Sequence, residues 1–143
     1  MRFYAAYARR LSALKDIPLL LLRLVLAYGY YHPALLKWKD IHSIGDWFGQ
    51  LHIPAPYINA YVVAVTETLG IILLTLGLWV RYITLPLMVS MVVAIITVHW
   101  ANGFEAGDNG FEIPLYYILM LFTLLVYGSG KIGLDALLER NRK

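Results

Sequence analysis

The sequence predicts an all-α protein, an integral membrane four-helix bundle with short interfacial amphipathic helices. Three observations carry that expectation. The 143 residues are 60% hydrophobic and 15% charged, with a mean hydropathy of +0.64, whereas a soluble domain carries roughly one quarter charged residues. The apolar residues gather into runs close to the roughly 20 residues that cross about 30 Å of hydrocarbon. The charged residues gather outside those runs. This composition excludes an ordinary water-soluble enzyme and a disordered chain.

The elements follow in order as one domain over residues 1–143, with no repeat, low-complexity tract or linker. Phe3, Tyr7, Leu11 and Leu14 form an apolar stripe beside Arg9 and Arg10, which suits a helix lying on the cytoplasmic membrane surface. The first span covers about residues 17–36; its charged preface resembles a signal peptide, but no small-x-small cleavage site follows, so it is expected to be retained. Pro33 should kink it near Gly29. Asp40 caps a short helix carrying Ile41, Ile44, Trp47, Phe48 and Leu51 at helical spacing, and Pro54 and Pro56 end it. Such a stripe fits the outer interface. Spans two, three and four cover about residues 58–80, 82–100 and 112–129, and Pro114 suits a helix first turn. Between the last two, Asn102, Gly103, Gly107, Asp108, Asn109 and Gly110 make a turn-rich loop.

Orientation follows from the basic residues. Of twelve, nine fall before span one, in the short turn at Arg81 or in the C-terminal tail; Lys37 and Lys39 lie on the opposite side, whose second loop is acidic with Glu105, Asp108 and Glu112. Both termini are therefore expected in the cytoplasm, and the protein in the cell's inner (cytoplasmic) membrane. Trp38, Trp79 and Trp100 fall at span ends, at the depth that indole rings favour. The basic residues cluster on no polar domain, so lipid is the expected partner and nucleic acid is not. With no cysteine there can be no disulfide, thiolate zinc site, Cys-ligated cluster or covalent haem. Any electrons must pass through a diffusible or non-covalently bound cofactor, or through a partner subunit.

The remaining charges are the informative ones. Arg23 and Glu67 lie inside spans one and two, where a charge costs about 2.5–3.5 kcal/mol on insertion scales and normally has a partner. Their depths, roughly 6 Å apart by helix rise, predict an Arg23–Glu67 contact, direct or through water or Tyr. That pair marks either a functional site or a buried ion pair that only fixes packing. Interior faces are expected along Arg23, Ala27, Tyr30, Ala34 and Lys37, along Val63, Glu67, Gly70, Leu74 and Gly77, and along Tyr116, Met120, Thr123 and Tyr127. A second polar cluster, His32, Lys37, His99 and Glu112, gathers at the outer ends. Glu112 there is either a helix cap or the partner of His99 in an acid/base couple. No helical His/Glu spacing supports a metal at His32, His99 and Glu112.

Four motifs in fixed order make the sequence resemble the DoxX family of small four-helix membrane proteins. They are Glu67-Thr68-Leu69-Gly70, His99-Trp100-Ala101-Asn102-Gly103-Phe104, Gly110-Phe111-Glu112-Ile113-Pro114-Leu115 and Gly128-Ser129-Gly130-Lys131-Ile132-Gly133-Leu134-Asp135, with Arg23 in the position of the family's first-span arginine. Many members end that span with His-Gly and a nearby lysine; this chain reads Tyr31-His32-Pro33-Ala34-Leu35-Leu36-Lys37, so the resemblance assigns no role to His32 or Lys37. The resemblance implies membrane redox chemistry, since DoxD-type relatives are subunits of a thiosulfate:quinone oxidoreductase. Under that reading this chain is an integral membrane subunit of a quinone-linked oxidoreductase, working with a redox partner subunit. A quinone needs an apolar groove for its tail and donors for its carbonyls. Arg23, Tyr30, His99, Asn102 and Tyr116 are the expected binding residues, and Glu67, His99 and Glu112 the expected proton-handling catalytic ones. Two alternatives stand beside it: a proton or small-solute carrier using the Arg23/Glu67 pair, and a non-catalytic membrane anchor or assembly protein. Gly70, Gly77 and other small residues suit a homo-oligomer.

Overall fold

The computed structural model describes residue 7 and residues 11–140. Its helices are α1 (Asp16–Lys39), α2 (Ile41–Gln50), α3 (Pro56–Leu76), α4 (Val80–Ala94), α5 (Glu112–Tyr127) and α6 (Leu134–Arg140). Helix α4 runs on through a π-helical turn, Ile95–His99, and a 3₁₀ turn, Trp100–Asn102. Of the expected N-terminal surface stripe, Phe3, Arg9 and Arg10 lie outside the described residues, while Tyr7, Leu11 and Leu14 are exposed.

Length and composition qualify three helices to cross a membrane: α1 with 24 residues, α3 with 21, and α4 with its continuation, 23. Helix α5 is equally apolar but has 16 residues, about 24 Å of helix. Their outward faces stay apolar, with Ile58, Val89 and Ile96 each more than three-fifths exposed. Water would penalise that surface and lipid does not.

Local chemistry sets the boundaries. Asp40 ends α1 and caps α2, its Oδ1 accepting the Ser43 N–H at 3.1 Å. Pro56 opens α3, where its missing N–H is not needed. Gly77 ends α3 in the left-handed conformation at φ 67°, and Trp79 adopts the same region at φ 48°, so the chain reverses into α4 within three residues. Helix α1 continues through Pro33 to Lys39.

Helix α1 packs along α3, α3 along α4 and α4 along α5; a lighter α1–α5 contact closes the ring, and α2 lies over the start of α3. The result is a membrane helical bundle. It has a termini end, where α1 begins and α5 finishes, and a loop end carrying α2 and residues 103–111. Fully buried Leu26, Leu74, Leu87, Leu121 and Leu124 fill its termini half. Leu87 lies against Gly70, where a Cβ would come 2.9 Å from the leucine Cδ1. The glycine thus lets α3 and α4 close tightly between the levels of Glu67 and Leu74.

The inward faces of α1 and α3 are the expected ones, with Arg23, Ala27, Tyr30, Ala34, Glu67, Gly70 and Leu74 buried. On α5 the expected stripe is only partly inward, with Met120 against the core and Thr123 half-buried. The structure buries Pro114, Leu121 and Leu124, leaving Tyr116 44% and Tyr127 65% exposed. Helix α5 is apolar all round, so its few polar residues do not report which side faces the core.

Candidate functional site

The loop half of the bundle holds a cavity of about 850 Å³ between the four long helices, bordered by α2 and by the loop before α5. Its walls are mainly apolar, and its deepest polar groups are Tyr30, Lys37 and Glu67.

Lys37 Nζ donates to Glu67 Oε1 at 3.0 Å and Oε2 at 2.9 Å. The side chains are 15% and 4% exposed, so the pair is almost wholly inside the protein. One residue further along each helix, the Trp38 indole N–H donates to Thr68 Oγ1 at 2.9 Å, and the threonine hydroxyl donates to the Ala64 carbonyl at 2.8 Å. These bonds fix the register of α1 against α3.

The expected Arg23–Glu67 contact does not form. Arg23 Nη1 donates to the Leu74 carbonyl at 3.5 Å and Nη2 to that of Ile132. Leu74 is about 10 Å along α3 from Glu67. The direction of helical side chains explains the rest, because each Cα–Cβ bond tilts toward its own helix N-terminus. On α1 both Arg23 and Lys37 lean toward the termini end; on antiparallel α3 Glu67 leans toward the loop end. Lys37 and Glu67 therefore converge, while Arg23 and Glu67 diverge.

Arg23 instead belongs to a lock at the termini end. Its guanidinium ties α1 to the end of α3 and to the segment after α5. Asp135, in the same segment, accepts the Trp79 and Val80 N–H groups at 2.8 and 3.2 Å and so caps α4; its own N–H donates to the Gly77 carbonyl at 3.0 Å. Any side chain at Gly77 would collide with the guanidinium and with the Gly133 backbone. The run from Gly128 to Asp135 is thus accounted for by packing, at the opposite end from the cavity.

Tyr30 is 1% exposed, and its hydroxyl has no partner among the described residues. Its ring meets Tyr117 edge-on at 5.4 Å. Tyr117 reaches over Gly29, where a Cβ would overlap its hydroxyl. The aromatic that borders the cavity from α5 is therefore Tyr117. The anticipated Tyr116 donates its hydroxyl to Glu112 at 2.8 Å on the exposed side.

His99 and Glu112 do not form a couple either. His99 Nδ1 lies 2.8 Å from the Asn109 carbonyl, while the Glu112 carboxylate accepts the Ala106 N–H at 2.9 Å and the Tyr116 hydroxyl. Each holds a different point of the loop whose ends they flank, and Asn102 adds a bond from Nδ2 to the Asn109 carbonyl at 3.1 Å. A carbonyl only accepts, so Nδ1 carries the proton and Nε2 is left as the basic nitrogen of neutral His99, which borders the cavity. His32 is exposed on α1.

The structure thus brings Tyr30, Glu67 and His99 to one cavity and adds two residues to them. Lys37 could have been recognised from the tilt of helical side chains. Tyr117 could not, because nothing in the apolar sequence of α5 fixes its rotation.

Three relatives are similar over most of their length. A Haemophilus influenzae protein named "Uncharacterized protein" is 31% identical, the match covering 87% of this chain and 85% of the relative. A second from that organism, with the same name, is 32% identical over 80% and 85%. A Bacillus subtilis protein named "Putative oxidoreductase CatD" is 28% identical over 90% and 92%. No solved structure matches. The sequence profile of the DoxX family matches residues 18–100, and with these relatives it establishes that the chain belongs to the DoxX family.

Proposed function

We propose that the chain is the membrane subunit of a quinone-linked oxidoreductase, set in the inner membrane with both termini cytoplasmic and holding a quinone ring in the loop-end cavity. The observation that carries this reading is a mainly apolar cavity lined by Tyr30, whose hydroxyl, closed off just behind the wall, is a donor with no acceptor among the described residues. A buried donor without a partner costs about 1–3 kcal/mol, which a ligand carbonyl would remove once a shift of the tyrosine ring turned the hydroxyl into the cavity. Of the other hydroxyl residues along the cavity, Ser90 and Thr97 already donate to the carbonyls of Leu87 and Val93. The cavity thus asks for an apolar ligand that accepts hydrogen bonds, and the name of the Bacillus subtilis relative points toward redox chemistry.

A bound quinone would supply reversible uptake of electrons together with protons. The chain's own part is to bind and to handle the protons. Tyr30 orients the ring through one carbonyl, and the aromatic and aliphatic walls exclude water. Glu67, held by Lys37, is the group placed to take or give a proton inside the cavity, with His99 Nε2 as a second site toward the loop. Electrons come from a partner subunit.

The carrier alternative loses its basis, since Arg23 and Glu67 are not paired and the leucine layer lies between their levels. Mass spectrometry of an organic extract of the purified protein should find a quinone, and added quinone should raise the Tm. Tyr30→Phe should keep the fold and lose most of that rise. A quinone-free extract together with an unchanged Tm would overturn the assignment.

A further inference from the structure

At the termini end a second hollow, of about 480 Å³, is bordered by the starts of α1 and α4, the end of α5 and α6. Lys15, Arg81 and Lys131 line it from three separate stretches of sequence, and none of them forms an ion pair among the described residues. Carboxylates are present as well. Asp16 accepts the Lys131 backbone N–H at 2.9 Å, and both Asp135 oxygens are occupied by the start of α4. Hydrogen bonds from neutral N–H groups leave a carboxylate charged, but Asp135 also faces the buried Arg23 guanidinium, so Asp16 and Glu139 stand against the three cations, an excess of one. Arg81 is laid across Gly128, where a Cβ would come 3.1 Å from its Nε, so the glycine gives the guanidinium its seat.

The rim supplies an independent observation. Trp79, Tyr82 and Tyr127 border the same hollow and are 60%, 77% and 65% exposed. Exposed Trp and Tyr at span ends mark the level of lipid headgroups. A surplus of basic groups at that level, in a hollow between helices, has the chemistry of an anionic phospholipid site.

We propose that this hollow binds the phosphate of an anionic phospholipid, with Arg81 and Lys131 on the phosphate and Trp79, Tyr82 and Tyr127 against the glycerol and upper acyl chains. The excess of one positive charge favours a headgroup without a compensating amine.

The test is native mass spectrometry of the protein released from nanodiscs of phosphatidylcholine with and without phosphatidylglycerol, paired with Tm. Wild type should retain phosphatidylglycerol above its share of the disc and melt higher in its presence. Lys131→Gln and Arg81→Gln should each reduce the enrichment about fivefold, the equivalent of about 1 kcal/mol per basic group. Arg81→Lys should retain most of it, and Lys39→Gln, at the loop end, all of it. Lys131 is exposed, so its variant should fold even if Arg81→Gln does not. Unselective lipid retention, or enrichment unchanged in Lys131→Gln, would overturn the proposal. So would a Tm rise with inorganic phosphate in pure phosphatidylcholine discs equal to that with phosphatidylglycerol, which would assign the site to a soluble phosphate.

Discussion

Lys37 and Glu67 form a buried ion pair in which each side chain depends on the other. Removing one partner strands the other in a low-dielectric interior, so Lys37→Met alone or Glu67→Leu alone should cost about 3–5 kcal/mol, whereas the double variant should come close to wild type in Tm. Quinone retention should be lost in all three if the pair serves the ligand; retention by the double variant would reduce it to packing. Gly29 is a second sensitive position. Gly29→Ala drives a methyl into Tyr117 and should lower stability by about 1–3 kcal/mol, with relief in Gly29→Ala/Tyr117→Phe. At this scale the sequence was partly legible. It exposed Arg23 and Glu67 as charges that lipid does not tolerate, but depth alone could not pair them, because partner choice depends on which way each side chain leans.

Among the elements, α4 depends on a residue from outside itself. Asp135 serves its first N–H groups, so Asp135→Ala should cost about 0.5–2 kcal/mol and loosen the α3–α4 turn, seen as faster amide exchange at Trp79 and Val80. The other end of α4 carries the π-helical turn at Ile95–His99, a local widening by one residue. Deleting one residue within 95–98 should restore α-helical winding and turn His99 about 100° away from the cavity. Ligand retention should then fall while the Tm of the ligand-free protein changes little; unchanged retention would remove His99 from the site. The long apolar runs and the Asp40 cap were readable in advance, since each is a local rule, whereas Pro56, expected to end α2, instead opens α3. The π turn and the rotation of α5 were not readable, because helix phase in lipid is chosen by neighbours and α5 offers no polar face to orient it.

For the whole molecule, cavity and lock occupy opposite ends with a leucine layer between them. The natural absence of cysteine makes this testable without background. Thr66→Cys and Ser90→Cys, on the cavity wall, should react with a membrane-impermeant thiol reagent added at the loop side, while Leu87→Cys should stay silent from both sides. Labelling of Thr66→Cys from the termini side would show a continuous path and revive a carrier function. The lock also has a temporal meaning. Arg23 sits in the first span, yet the carbonyls that receive it lie 51 and 109 residues downstream. During synthesis that span must wait in the translocon or bilayer with its guanidinium unmatched, at a cost of about 2.5–3.5 kcal/mol, until almost all of this sequence has been made. Release of the finished bundle is thereby tied to arrival of the last helix, and a nascent chain stopped before Ile132 should remain extractable or be degraded while one extended past Asp135 persists.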